Sequence, residues 1–157
     1  MFLGKFECNV DKKLRVSVPP QFRALLAKEE YSGFVAYEAL RPDVEAIEAC
    51  GMSYMRRLND LVAELDEFSE ERELAETIFS SANTLPMDGA GRVSLPPDLL
   101  EFAGITEKVT FVGVGETFQL WEPERFRAYE QAKRQRVRTR RISLRPRLGA
   151  AQPVGGQ

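Results

Sequence analysis

Lys5-Phe6-Glu7-Cys8-Asn9-Val10 alternates polar and apolar positions with period two, the pattern of a half-buried strand. Arg15-Val16-Ser17-Val18 and Arg92-Val93-Ser94-Leu95 alternate in the same way, so each predicts a strand with its aliphatic residues on one face and its Arg and Ser on the other. Pro19-Pro20 and Pro96-Pro97 then stop strand pairing and open short helices, the second proline of each pair standing at the first helical position. Gly33 and Gly104 mark the helix exits. Val109 to Val112, a Gly113-Val114-Gly115-Glu116 turn and Thr117 to Trp121 make a hairpin, and a helix opens at Pro123 with Phe126 and Tyr129 facing inward. Residues 34 to 66 are ambiguous alone, since Val44 to Cys50 also fits the first half of a long helix.

An internal repeat resolves that ambiguity. Asp11-Lys12-Lys13-Leu14-Arg15-Val16-Ser17-Val18-Pro19-Pro20 returns as Asp88-Gly89-Ala90-Gly91-Arg92-Val93-Ser94-Leu95-Pro96-Pro97, at an offset of 77. Phe22, Leu25 and Leu26 fall opposite Leu99, Phe102 and Ala103, and Phe34-Val35 opposite Phe111-Val112. The second copy therefore predicts a hairpin from Phe34 to Cys50 turning around Arg41-Pro42-Asp43. A helix follows with Ser53 as N-cap and a stripe of Tyr54, Leu58, Leu61, Val62 and Leu65. Ser69 with Glu70 and Glu71 starts a connecting helix whose buried face is Leu74, Ile78 and Phe79. Two copies are too few for a solenoid, so the expected fold is α+β, a pseudo-twofold pair of units sharing one barrel-like core with flanking helices. The expected divisions are 1–68 for the first repeat, 69–82 for the connector helix, 83–142 for the second repeat with its C-terminal helix, and 143–157 for a disordered tail.

With 157 residues, 43% of them hydrophobic, the chain can bury a core without disulfides or metals. Cys8 and Cys50 form no CxxC pair and no apolar run is long enough to span a membrane, so the chain reads as cytoplasmic, with no cofactor and no metal. The absence of histidine removes Ser-His-Asp and Cys-His catalysis and His-ligated metal. The net charge of −2 hides an asymmetry. All 24 acidic residues precede residue 131, whereas Lys133, Arg134, Arg136, Arg138, Arg140, Arg141, Arg145 and Arg147 follow without an acid among them. The first 132 residues thus carry about −10. The basic tail suits nucleic acid or the acidic surface of its own or a neighbouring subunit. The eight carboxylates between Asp60 and Glu76 read as a solvated helix surface.

Three roles compete for the doubled Asp-x-x-x-Arg. In the first it is structural, Asp accepting from amides just ahead of it and Arg answering its charge. In the second the two Asp form a proton-sharing dyad, which Lys12 and Lys13 oppose by crowding one copy with cations. In the third, paired turns present Lys and Arg to phosphates and base edges at a spacing set by the pseudo-twofold. Asp11, Asp88, Gly89 and Gly91 would shape the turns, and Lys12, Lys13, Arg15 and Arg92 would meet DNA.

Met1-Phe2-Leu3-Gly4, the two Asp-x-x-x-Arg turns each followed by strand and proline, Met87 to Arg92, and Phe111-Val112-Gly113 to Phe118-Gln119-Leu120-Trp121-Glu122 together resemble the MraZ family over residues 1 to about 130. The resemblance implies a transcriptional regulator built from two swapped-hairpin AbrB-like halves. It also implies a homo-oligomeric ring on double-stranded DNA at the nucleoid. No membrane partner is expected, because the basic run lacks the interleaved large apolar stripe of an interfacial helix. Proteins of this family bind short direct repeats upstream of the division and cell-wall gene cluster that begins with their own gene. Similar proteins usually have Gly where this chain has Leu14, which points to a less permissive first turn. The alternative is a ring-forming scaffold whose basic tail holds a protein partner. Phe2, Phe34, Trp121 and Phe126 serve either as subunit contacts or as ordinary core.

Overall fold

The computed structural model describes residues 1–144; the predicted disordered tail, with Arg145 and Arg147, lies outside them except for Ser143 and Leu144. Eight strands and five helices run in the order β1 (Lys5–Asn9), β2 (Arg15–Ser17), α1 (Pro20–Leu26), β3 (Gly33–Glu38), β4 (Ile47–Cys50), α2 (Met52–Val62), α3 (Glu70–Ser81), β5 (Asn83–Pro86), β6 (Arg92–Ser94), α4 (Pro97–Ala103), β7 (Lys108–Gly113), β8 (Phe118–Trp121) and α5 (Pro123–Arg140). The hairpin expected over Phe34 to Cys50 is present as β3 and β4, and both Pro-Pro pairs place their second proline at the first position of a helix.

The two repeats share one sheet by exchanging strands. A six-stranded antiparallel sheet has the order β1-β7-β8-β4-β3-β5, and β2 pairs with β6 in a separate two-stranded ribbon. The first strand of each repeat therefore pairs with the hairpin of the other: β1 lies on β7 and β5 on β3. Val16 faces Val93 at the centre of the ribbon, which places the pseudo-twofold there.

Alternation along the strands divides the packing into layers. The inward face of the sheet, the ribbon valines, α1 and α4 enclose Phe22, Phe34, Phe111, Phe118, Val16, Val93, Leu26 and Leu99, with Phe2 closing one end. Phe118 sits 4.8 Å from Phe2 and 5.2 Å from both Phe22 and Phe34, ring centre to ring centre. On the outward face, α5 packs Phe126 and Tyr129 against Trp121, while α2 and α3 cover Val35 and Cys50. Gln119 and Glu48 also face outward. The Gln119 amide donates to Glu48 Oε1 at 2.7 Å and accepts from the Trp121 indole at 2.8 Å. Burial raises the Glu48 carboxyl above its ordinary range.

Several sequence expectations are corrected. Phe34 and Cys8 both have strand partners, Leu85 and Val109, and Leu85 lies 77 residues after Cys8, so the true counterpart of Phe34 is Val109 rather than Phe111. The α1–β3 connection has six residues where α4–β7 has four, and this insertion shifts the register by two. Gly33 is the first residue of β3, not a helix exit; a Cβ there would collide with the Leu85 carbonyl. Gly104 does end α4, in the left-handed conformation at φ 70°. The N-cap of α2 is Gly51, and Ser53 lies inside the helix, where its amide and hydroxyl both donate to Glu29. Leu61 and Leu74 are exposed; Met55 and Ala75 occupy the buried faces instead. Phe2, Phe34, Trp121 and Phe126 are core residues, which removes them as exposed subunit contacts.

Candidate nucleic-acid interface

The two Asp-x-x-x-Arg segments form the same turn. Asp11 Oδ1 accepts from the amides of Lys13 at 2.8 Å and Arg15 at 2.9 Å, and Oδ2 accepts from Arg15 Nε at 2.9 Å. Asp88 Oδ1 accepts from Ala90 and Arg92, each at 2.9 Å, and Oδ2 from Arg92 Nε at 3.1 Å. The main chain closes each turn identically, the Asp amide donating to the Arg carbonyl and the amide of Leu14 or Gly91 donating back to the Asp carbonyl. The Arg15 amide is the chief cause that holds the Asp11 carboxyl below its ordinary range, and the Arg92 amide does the same for Asp88.

Closing the turn requires a left-handed residue just before the arginine. Leu14 takes φ 62° and Gly91 φ 78°. Leu14 thus adopts the backbone that glycine adopts in the second turn, and the two turns share one shape. Its side chain packs against the core, and its carbonyl accepts from the Leu95 amide, just as the Gly91 carbonyl accepts from Val18. Gly89 is exposed with nothing near its missing Cβ, so the shape of the second turn rests on Asp88 and Gly91.

The ribbon arranges what these turns hold. Antiparallel register sets Arg15 opposite Ser94 and Ser17 opposite Arg92, with both valines turned into the core. All four polar side chains consequently share the outer face. Arg15 and Arg92 are diagonal neighbours, about 7–8 Å apart at Cα. Lys12 and Lys13 are exposed at the tip of the first turn, and among the described residues neither forms an ion pair. Each arginine bonds its aspartate through Nε, which restrains the guanidinium plane, and among the described residues the terminal nitrogens make no hydrogen bond. A pair of planar, oriented donors flanked by two hydroxyls and two lysines matches the edges of a base pair and the phosphates beside it.

A family model described as "MraZ protein, putative antitoxin-like" matches residues 78–143. The chain is 44% identical over 147 residues to the transcriptional regulator MraZ of Rickettsia bellii strain OSU 85-389, an overlap of 92% of this chain and 97% of that protein. It is 44% identical over 146 residues to the transcriptional regulator MraZ of Rickettsia felis, with the same coverage. The chain belongs to the MraZ family.

In this MraZ chain the family-model match runs from within α3 through the second turn and ribbon strand past the end of α5. The basic run that follows the acidic body is helical as far as Arg140; Arg134 pairs along the helix with Glu130 at 3.7 Å, and Arg136 reaches back to the body, approaching Asp43 at 3.9 Å. Sequence reasoning passed over Ser17 and Ser94 as candidates. Their signal was their recurrence at matching places beside the arginines, which the ribbon register converts into a shared face. Among the described residues no group of His, Cys, Asp and Glu could hold a metal ion, and no helix is long and apolar enough to cross a membrane.

Proposed function

We propose that this protein is a sequence-specific transcriptional regulator that reads double-stranded DNA with the outer face of the β2–β6 ribbon. Arg15 and Arg92 contact bases, Lys12 and Lys13 contact phosphates, and Asp11, Asp88 and Gly91 shape the turns that aim them. The observation that carries this reading is the presence of both arginines, each oriented by its own aspartate, on one solvent-facing surface across the pseudo-twofold. The MraZ relatives of Rickettsia bellii and Rickettsia felis are transcriptional regulators by name, which supports the regulatory part of this reading.

In this reading the exchanged strands make an AbrB-like swapped-hairpin core from residues 1–68 and 83–142, joined by the connector helix at 69–82. One subunit offers one small basic face, so copies of the chain assemble, as a ring, and bind successive direct repeats. Simultaneous engagement raises the effective concentration of each face beyond what a monomer reaches. The operators lie upstream of the division and cell-wall gene cluster, and the protein works in the cytoplasm at the nucleoid. The acidic remainder of the body repels DNA elsewhere and so orients docking. Selection of bound duplexes from a random library tests this directly: enrichment of a short motif in tandem supports it, and recovery of unenriched sequence rejects it in favour of the scaffold reading.

A further inference from the structure

Arg23 is a cation that the turn pair leaves unexplained. It stands on α1 of the first repeat, yet its guanidinium lies over Gly91 of the second turn, close enough that a Cβ at Gly91 would collide with Arg23 Nε and Cζ. Nη2 donates to the Val18 carbonyl at 3.1 Å, while Nε is buried and has no hydrogen-bond partner. Among the described residues Arg23 has no carboxylate partner, so its charge beside the ribbon is uncompensated.

The pseudo-twofold makes this a one-sided device. The counterpart of Arg23, at the offset of 77, is Leu100, a buried core residue, and the counterpart of Gly91 is Leu14. Where the turn carries a side chain, the helix supplies an aliphatic residue; where the turn is bare glycine, the helix supplies a guanidinium. Charge follows the same division. The first turn has Lys12 and Lys13, and the second has Gly89 and Ala90 in their places.

We propose that Arg23 is a further phosphate-contacting residue, lent by the first repeat to the second turn in place of the lysines that turn lacks. Its stem holds the guanidinium over Gly91, the residue before Arg92 in the chain, and a DNA phosphate supplies the counter-charge that the protein withholds. The inference rests on the DNA reading of the ribbon.

The test uses the full chain, with Arg23→Met, Arg23→Lys and Arg15→Ala as variants. Binding to the duplex upstream of its own gene and to an unrelated duplex of equal length is followed across a salt series. Methionine keeps an unbranched apolar stem over Gly91 and removes the charge, whereas lysine keeps the charge. Arg23→Met is expected to lower the slope of log K against log salt by about one and to weaken both duplexes alike, with its unfolding midpoint no lower than wild type; Arg23→Lys is expected to restore the slope. Equal slopes for wild type and Arg23→Met, while Arg15→Ala binds more weakly, overturn the Arg23 assignment alone. A wild-type chain without salt-dependent affinity overturns the interface reading and this assignment with it. A midpoint lowered equally in the Met and Lys variants, with both slopes unchanged, makes Arg23 a packing residue and overturns the proposal as well.

Discussion

Two residues share one left-handed backbone, and exchanging their side chains tests the turn geometry from both sides. Gly91→Ala places a Cβ at φ 78°, which costs about 1–2 kcal/mol for the conformation alone. The same Cβ drives the Arg23 guanidinium from its seat and breaks its 3.1 Å bond to the Val18 carbonyl, adding about 1 kcal/mol. The expected loss is about 2–3 kcal/mol, or roughly 4–12 °C in unfolding midpoint for a chain of this length. Leu14→Gly runs the other way. Relief of the left-handed strain at φ 62° returns about 1–2 kcal/mol. Lost packing of the half-buried side chain removes roughly 1–1.5 kcal/mol. The freer unfolded chain removes about 0.4–1 kcal/mol more. The opposing contributions leave Leu14→Gly within about 1.5 kcal/mol of wild type. Urea unfolding followed by circular dichroism at fixed protein concentration measures both variants. Gly91→Ala as stable as wild type, or Leu14→Gly as damaging as Gly91→Ala, would refute the claim that both turns need a left-handed residue before the arginine.

Further outcomes concern the carboxylates and the thiols. The amides that Asp11 and Asp88 accept from hold their folded-state pKa values below the ordinary 3.8, so the stability they contribute is present above 3.8 and is lost as pH falls through the lower folded value. The midpoint gap between wild type and Asp88→Ala should therefore hold at neutral pH and close in strong acid; a gap unchanged down to pH of about 2 contradicts the assigned bonds. Burial pushes the Cys8 thiol up to about 11 and the Cys50 thiol up to about 12. Cys50, which is also fully buried, should not react with a disulfide reagent at about pH 8 until the chain is unfolded, and labelling at Cys50 in the native protein would show its packing against α2 and α3 to be wrong.

The local elements were legible where a residue's covalent nature dictates the outcome. Pro20 and Pro97 open helices because their ring presets φ and they have no amide to donate, and the valines of Arg-Val-Ser fall inward because strand period is two. The ambiguous segment at 34–50 became a hairpin only through comparison with its copy. That comparison also misled, since Phe34-Val35 matches Phe111-Val112 by identity while a two-residue insertion before β3 moves the true counterpart to Val109. Leu61 and Leu74 show a different limit: helical spacing defines a stripe, but which neighbour covers it is a tertiary matter, and Met55 and Ala75 won the contacts. Strand exchange leaves no local trace, because β1 and β5 carry the same alternation whichever copy they pair with. The candidate site was half visible. Its aspartates and arginines stood out by recurrence, whereas the placement of Ser17, Ser94 and Arg23 around them depends on ribbon register and on α1 crossing to the other repeat's turn.

The central claim is that the outer face of the ribbon binds DNA through Arg15 and Arg92. Fluorescence anisotropy of a labelled duplex from the region upstream of its own gene, titrated with wild type, Arg15→Ala and Arg92→Ala across a salt series, tests it most directly. The account predicts an affinity that falls with salt and a loss of about 1–3 kcal/mol, roughly 5- to 150-fold, for each substitution while the fold is retained. Folded variants that bind the duplex as tightly as wild type would contradict it.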